Sequence, residues 1–115
     1  MDITRIQSGP RMSQAVVHGG TVYLAGQVAA DSGADIKAQT QSVLDKIDAM
    51  LGESGTSKAN LLQAVIYLSD MRHFKAMNEV WDAWVAEGHA PARACIEARL
   101  ASPDLLVEIG IIAAC

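Results

Sequence analysis

Residues 91–114 read PARACIEARLASPDLLVEIGIIAA. The run divides into two strand-like halves around Ser102-Pro103-Asp104, a turn sequence. Arg93 stands in the first half. Glu108 is the only charge between Leu105 and Ala114. A carboxylate inside an apolar run is costly to bury without a partner. Either a cation meets Glu108, or it faces a cavity that a ligand enters. On the residues alone, the two halves pair as a hairpin across the turn.

Gly88 and Pro91 separate this run from a helical segment, residues 73–87. Phe74, Met77, Trp81, Trp84 and Val85 recur there at the spacing of one buried stripe. Ser69-Asp70 supplies its N-terminal cap. Before it, LLQAVIYL (residues 61–68) is apolar at nearly every position, the pattern of a central strand buried on both faces. Residues 36–51 form another helix, capped by Asp35 and stopped by Gly52 and Gly55. Ile36, Val43, Leu44, Ile47, Met50 and Leu51 make its apolar face, and Gln39, Gln41, Asp45, Lys46 and Asp48 cover the other. Residues 3–6, 13–18 and 21–28 read as strands. Gly19-Gly20 supplies the positive-φ pair of a two-residue hairpin turn. Gly26, inside the third strand, suggests a bulge or a close approach to the backbone.

The order β-β-β-α-β-α-β-β describes one α+β domain over residues 1–115. Two strand–helix–strand units imply parallel strands with both helices on one sheet face. The other face would carry Ala, Val, Leu and Ile side chains. An uncovered apolar face of that size is an expected oligomer interface.

Composition narrows the function classes. Half of the 115 residues are apolar, yet Phe, Trp and Tyr number only five, so the core is aliphatic. Net charge is −4 with no Lys/Arg run, which argues against a nucleic-acid surface. Cys95 and Cys115 form neither a disulfide framework nor a zinc site, and reduced thiols in the cytoplasm are expected. No signal peptide is recognised in MDITRIQSGP. No apolar run approaches the ~20 residues of a membrane span. His18, His73 and His89 lack metal-ligand spacing.

The sequence resembles the RidA/YjgF family, also described as endoribonuclease L-PSP, over nearly its whole length. The matching pieces are Ala25-Gly26-Gln27, Gln39-Thr40, Tyr67-Leu68-Ser69-Asp70-Met71 with Phe74, Asn78-Glu79-Val80-Trp81, Pro91-Ala92-Arg93, and Val107-Glu108-Ile109 with Ala113. Their joint order and spacing carry the resemblance. It implies a chorismate-mutase-like fold with a mixed six-stranded sheet, the last strand inserted antiparallel between the third strand and the strand at 61–68. It also implies a homotrimer with three pockets between subunits.

The activity it implies is hydrolysis of reactive imines and enamines, such as 2-iminobutanoate and 2-iminopropanoate, to 2-oxo acids and ammonia. Arg93 then matches the residue that holds the substrate carboxylate, and Glu108 the one that positions or activates water. Gly26 matches a residue whose backbone amide lines the pocket, Asn78 a pocket amide, and Cys95 a pocket-wall cysteine. No metal or organic cofactor is implied. Met12 stands where many active members carry a tyrosine. Ala25 replaces a frequent serine, and Ala90 a frequent aromatic residue. The first two changes remove hydroxyls from the pocket.

Blander readings stand beside these. Arg93 taken alone reads as a structural ion-pair partner, and the blander reading of Glu108 pairs it with an arginine across the interface. Cys95 reads as a small core residue, Trp81 and Trp84 as core, and Gly26 as a simple bulge. A non-catalytic binder of 2-oxo acids or related carboxylates uses the same residues. RNA cleavage rests only on the family's other description, and chorismate mutase activity only on fold analogy.

Overall fold

The computed structural model describes residues 1–115. Seven strand segments and two long helices follow one another along the chain. They are β1 (Thr4–Ser8), β2 (Ser13–His18), β3 (Thr21–Leu24), β4 (Gln27–Val28), α1 (Ile36–Glu53), β5 (Leu61–Leu68), α2 (Phe74–Trp84), β6 (Ala92–Glu97) and β7 (Val107–Ala114). Short 3-10 turns at Lys58–Asn60 and Met71–His73 precede β5 and α2. All strands belong to one mixed sheet in the order β1-β2-β3-β7-β5-β6, with β4 also pairing β7.

The final strand lies between β3 and β5 and is antiparallel to both. The hairpin expected from residues 91–114 does not form. Instead β6 pairs β5 in parallel, reached through α2 as a strand–helix–strand unit needs. The β3 and β5 strands run in the same direction but do not touch, because β7 separates them.

The expected single strand at 21–28 is broken at Ala25-Gly26, which makes seven segments from six anticipated strands. Tyr23 pairs Ile112 and Gln27 pairs Ile109, so Leu24, Ala25 and Gly26 face only Gly110 and Ile111. That is a β-bulge, one extra residue on one strand. At the Gly19-Gly20 turn both glycines adopt positive φ, 58° and 80°, as a two-residue hairpin turn requires.

Helix α1 begins at Asp35, whose carboxylate accepts from the Ala38 N–H at 2.9 Å. It runs through Gly52 and ends in a Schellman motif. The Thr56 N–H donates to Leu51 O and the Gly55 N–H to Gly52 O. Gly55 has φ 81°, the left-handed conformation that motif needs. Helix α2 is shorter than residues 73–87. Asp70 caps the preceding 3-10 turn by accepting from the Arg72 N–H at 2.9 Å. Val85 leaves helical geometry with ψ 139°, well before Gly88. Lys58 Nζ meets the last-turn carbonyl of Trp84 at 2.7 Å, and Asp48 accepts from the Trp84 indole N–H at 3.0 Å.

Both helices share one core with the sheet, built from Val22, Leu44, Ile47, Leu51, Ile66, Met77, Trp81, Ile109 and neighbours. Burial along β7 alternates strictly, with Val107, Ile109, Ile111 and Ala113 buried and the residues between them only partly so. The helices therefore cover one face of the sheet. Ladder partners carry the open face outward through Glu108, Gly110 and Ile112 of β7, then Val65 and Tyr67 of β5, then Ala94 and Ile96 of β6. The central strand at 61–68 is thus not buried on both faces within one chain; its second face is this apolar surface. Ile96 and Tyr23 on it are each 47% exposed.

Gln39, expected on the polar face of α1, is fully buried. Its Nε2 donates to Ser32 O, Ala34 O and Asp104 O, and its Oε1 accepts from the Leu106 N–H. It ties the loop before α1 to the turn before β7.

Candidate functional site

The residues singled out in the sequence fall into two groups on opposite sides of the sheet. The first group surrounds Arg93. Arg93 pairs with the buried Ala64 across the parallel ladder, which puts its side chain on the helix face at the sheet edge. The guanidinium lies 5.4 Å from the Trp81 ring centroid and 6.0 Å from that of Phe74, within cation–π range. Its Nη1 donates to Asn78 Oδ1 at 2.7 Å. Phe74, Asn78 and Trp81 recur at helical spacing on α2, so a single helix face supplies the whole platform. No carboxylate pairs with Arg93. The group is therefore a fixed planar cation whose other N–H donors have no partner in the chain, a group suited to a carboxylate.

Cys95 lies two residues further along β6, on the same face, half-buried against the core. Burial pushes its thiol upward in pKa, and the Arg93 charge pulls more weakly downward. That direction disfavours the thiolate, so Cys95 fits a pocket wall rather than a nucleophile. The remaining cysteine, Cys115, ends the chain and is exposed.

The second group joins Gly26 and Glu108. Glu108 pairs Val28 on one side and Tyr67 on the other, facing the open side of the sheet. A Cβ placed on Gly26 would overlap Glu108 Oε2 and lie 3.0 Å from its Cδ. Gly26 does not use left-handed φ, so glycine is needed here for space rather than for backbone freedom. Glu108 forms no ion pair. Met12 closes the turn between β1 and β2, accepting from the Gly9 N–H at 2.8 Å, and is 48% exposed. It precedes Gln14, whose carbonyl accepts from the Ala25 N–H at 2.8 Å beside the bulge.

The structure thus brings Arg93 to Asn78 and Cys95, and Glu108 to Gly26. It does not bring Arg93 to Glu108 within one chain. Sequence reading placed Phe74 and Trp81 in the core and missed the platform they make. The signal was present in the spacing, since Phe74, Asn78 and Trp81 stand four and three residues apart on one helix face, and in the structure Phe74 is 39% exposed. The amides of Gln14 and Gln27, which hold the bulge, were also missed. No cluster of three His, Cys, Asp or Glu side chains suits a metal ion. No helix is long and apolar enough to cross a membrane.

Fold and site together define a small α+β domain of the chorismate-mutase-like type. The chain belongs to the endoribonuclease L-PSP (YjgF/RidA) family, whose model matches residues 3–115. Among its relatives, a RutC family protein of Haemophilus ducreyi is 48% identical over 112 residues, covering 97% of this chain and 96% of its own. The RutC family protein YoaB of Escherichia coli K12 is 45% identical over 114 residues, covering 99% of each. A YjgF-family protein from Neisseria meningitidis superposes with a TM-score of 0.97 at 51% identity, over 99% of this chain and 95% of that one.

Proposed function

We propose that the chain hydrolyses 2-imino acids and their enamine tautomers to 2-oxo acids and ammonia, in a homotrimer whose sites lie between subunits. The observation that carries this reading is Arg93. It is oriented by Asn78, stacked over Trp81 and Phe74, and left without a carboxylate of its own. Such a group binds a substrate carboxylate in one orientation. Glu108 and Gly26, on the other sheet face, complete the site when the open face of one subunit packs beside the Arg93 edge of the next. An apolar open face is what such packing buries.

The chemistry asks little of the protein. An imine carbon is electrophilic once its nitrogen is protonated. Arg93 holds the carboxylate and fixes the carbon. Glu108 orients a water and takes a proton as the oxygen bonds to that carbon. Glu108 then returns that proton to the carbinolamine nitrogen and takes the hydroxyl proton as the C–N bond breaks, leaving ammonia and the 2-oxo acid.

The test measures ammonia release from 2-iminopropanoate generated in place by an amino-acid oxidase. Turnover above the buffer rate, lost in Arg93→Ala, supports the proposal; a rate equal to buffer sinks it. A non-catalytic carboxylate binder is the second reading, favoured by Met12 and Ala25, which bring no hydroxyl to the bulge side. Calorimetry with 2-oxo acids would then show heat without turnover. The family description names RNA cleavage, but this chain's 13 acidic against 9 basic residues fit a polyanion poorly.

A further inference from the structure

We infer that Gln27 is a positioning residue of the site, holding the bulge so that the Gly26 N–H points toward Glu108. This rests on reading Gly26 and Glu108 as one half of the site. Gln27 is 7% exposed, on β4. It lines a cavity of ≈ 340 Å³ with Gln14 and the α1 residues Lys46, Ala49 and Met50, so its side chain lies on the helix face. Its Nε2 donates to Ala25 O and to Gln14 Oε1, each at 3.0 Å. Both amide protons are committed.

The bond to Ala25 O decides a direction. The carbonyl is held toward the helix face. Every peptide in the chain is trans. In a trans peptide the N–H lies opposite the C=O in one plane, so the Gly26 N–H points toward the open face. Glu108 packs over Gly26 on that face. The Gly26 N–H makes no backbone hydrogen bond. It is a donor held ready for a polar atom of a substrate.

The pin is needed because the next residue is glycine, which tolerates either orientation of the preceding peptide. A flip would turn the Ala25 carbonyl toward the Glu108 carboxylate and remove the donor. The Ala25 N–H is fixed separately by Gln14 O. Gln27 therefore holds the one peptide plane of the bulge that the β-ladder leaves loose.

The test compares Gln27→Leu and Gln27→Glu with the parent and with Gln7→Ala. Gln7 lines the same cavity but donates to Met50 and Glu53, not to Ala25. Glutamate keeps the shape of Gln27 but, ionised, cannot donate to Ala25 O. Both Gln27 variants are expected to lose kcat by roughly 10- to 100-fold, less than the about 10²- to 10³-fold of a donor removed outright, because the peptide is loosened and not lost. KM should stay within about 2-fold, since uniform carboxylate binding at Arg93 is untouched. Gln7→Ala should match the parent. A merely structural role would lower the melting temperature without this kcat–KM split.

The second readout needs no turnover. The Gly26 amide and the Glu108 carboxyl carbon are followed by NMR in the unliganded protein. Both resonances should move in the two Gln27 variants and stay in place in Gln7→Ala. Unmoved resonances in folded Gln27→Leu overturn the inference. If they move while the parent releases no ammonia above buffer, the positioning stands and the deaminase reading fails.

Discussion

Arg93 and Glu108 lie on opposite faces of one sheet, two strands apart, with β5 between the strands that carry them. A site using both must draw them from different subunits. This makes a complementation experiment decisive. Arg93→Ala and Glu108→Gln are each expected to be inactive. Unfolded together in equal amounts and refolded, they should recover about a quarter of the parental rate, because each heterologous interface takes its two residues from independently chosen subunits. Refolding the variants separately should recover nothing. A mixture as inactive as its components contradicts a shared site.

Gly26→Ala separates activity from stability. The new methyl would meet the far end of the Glu108 side chain, which can swing away at small cost. Stability should therefore change by less than ~1 kcal/mol, partly offset by the lower chain entropy of alanine in the unfolded state. Glu108 would leave its place over Gly26, and turnover should fall by about 100-fold, the lower end of general-base contributions. Thermal melts and initial rates on the same preparation check both halves.

Much of this was legible in the sequence because hydrophobic period reports burial directly. The stripe of Val43, Leu44, Ile47 and Leu51 and the apolar β5 emerged that way, and the Gly19-Gly20 turn came from the freedom of glycine at positive φ. Strand neighbours did not, because pairing depends on long-range register that period cannot encode. The Ser102-Pro103-Asp104 turn looked like a hairpin, yet β7 crosses to pair β5 and β3. Gln39 was misplaced for a related reason. A buried amide that satisfies four backbone groups has the same letter as one in water. Arg93 and Glu108 were visible as residues, but their opposite faces needed the register, since Arg93 aligns with Ala64 and Glu108 with Tyr67.

The open face should carry the assembly. Val65 sits at its centre, between Gly110 and Ala94 on the flanking strands. Val65→Glu puts a charge where an oligomer would bury it and a monomer would leave it wet. The expected result is a folded monomer by light scattering, with native circular dichroism and no activity. A trimer that persists would place the interface elsewhere.

Cys95 gives a pH test. Its thiol is raised first by burial, against a smaller lowering by Arg93. A raised pKa in the fold means the protonated thiol is the favoured native form. Its contribution is intact below the ordinary thiol pKa of about 8.5 and is lost as pH climbs above it. In a Cys115→Ser background, iodoacetamide should label slowly at neutral pH and accelerate only above that range. Arg93→Ala removes the opposing charge and should delay the acceleration further. Fast labelling at pH 7 would contradict the buried-thiol reading.

Gln39 tests what holds the turn before β7, and with it the strand that carries Glu108. Gln39→Leu keeps the volume but strips partners from Ser32 O, Ala34 O, Asp104 O and the Leu106 N–H. Leaving buried polar groups unpaired costs about 1–3 kcal/mol each where water cannot reach them. Some of these carbonyls lie near the surface and will rehydrate, so the expected loss is about 3 kcal/mol in total. Urea unfolding should show the midpoint falling with an unchanged m-value. Hydrogen exchange should rise first at the Leu106 amide, because its acceptor is the substituted side chain. A midpoint shift without local exchange there would mean that the loop before α1, rather than the turn before β7, is what Gln39 secures.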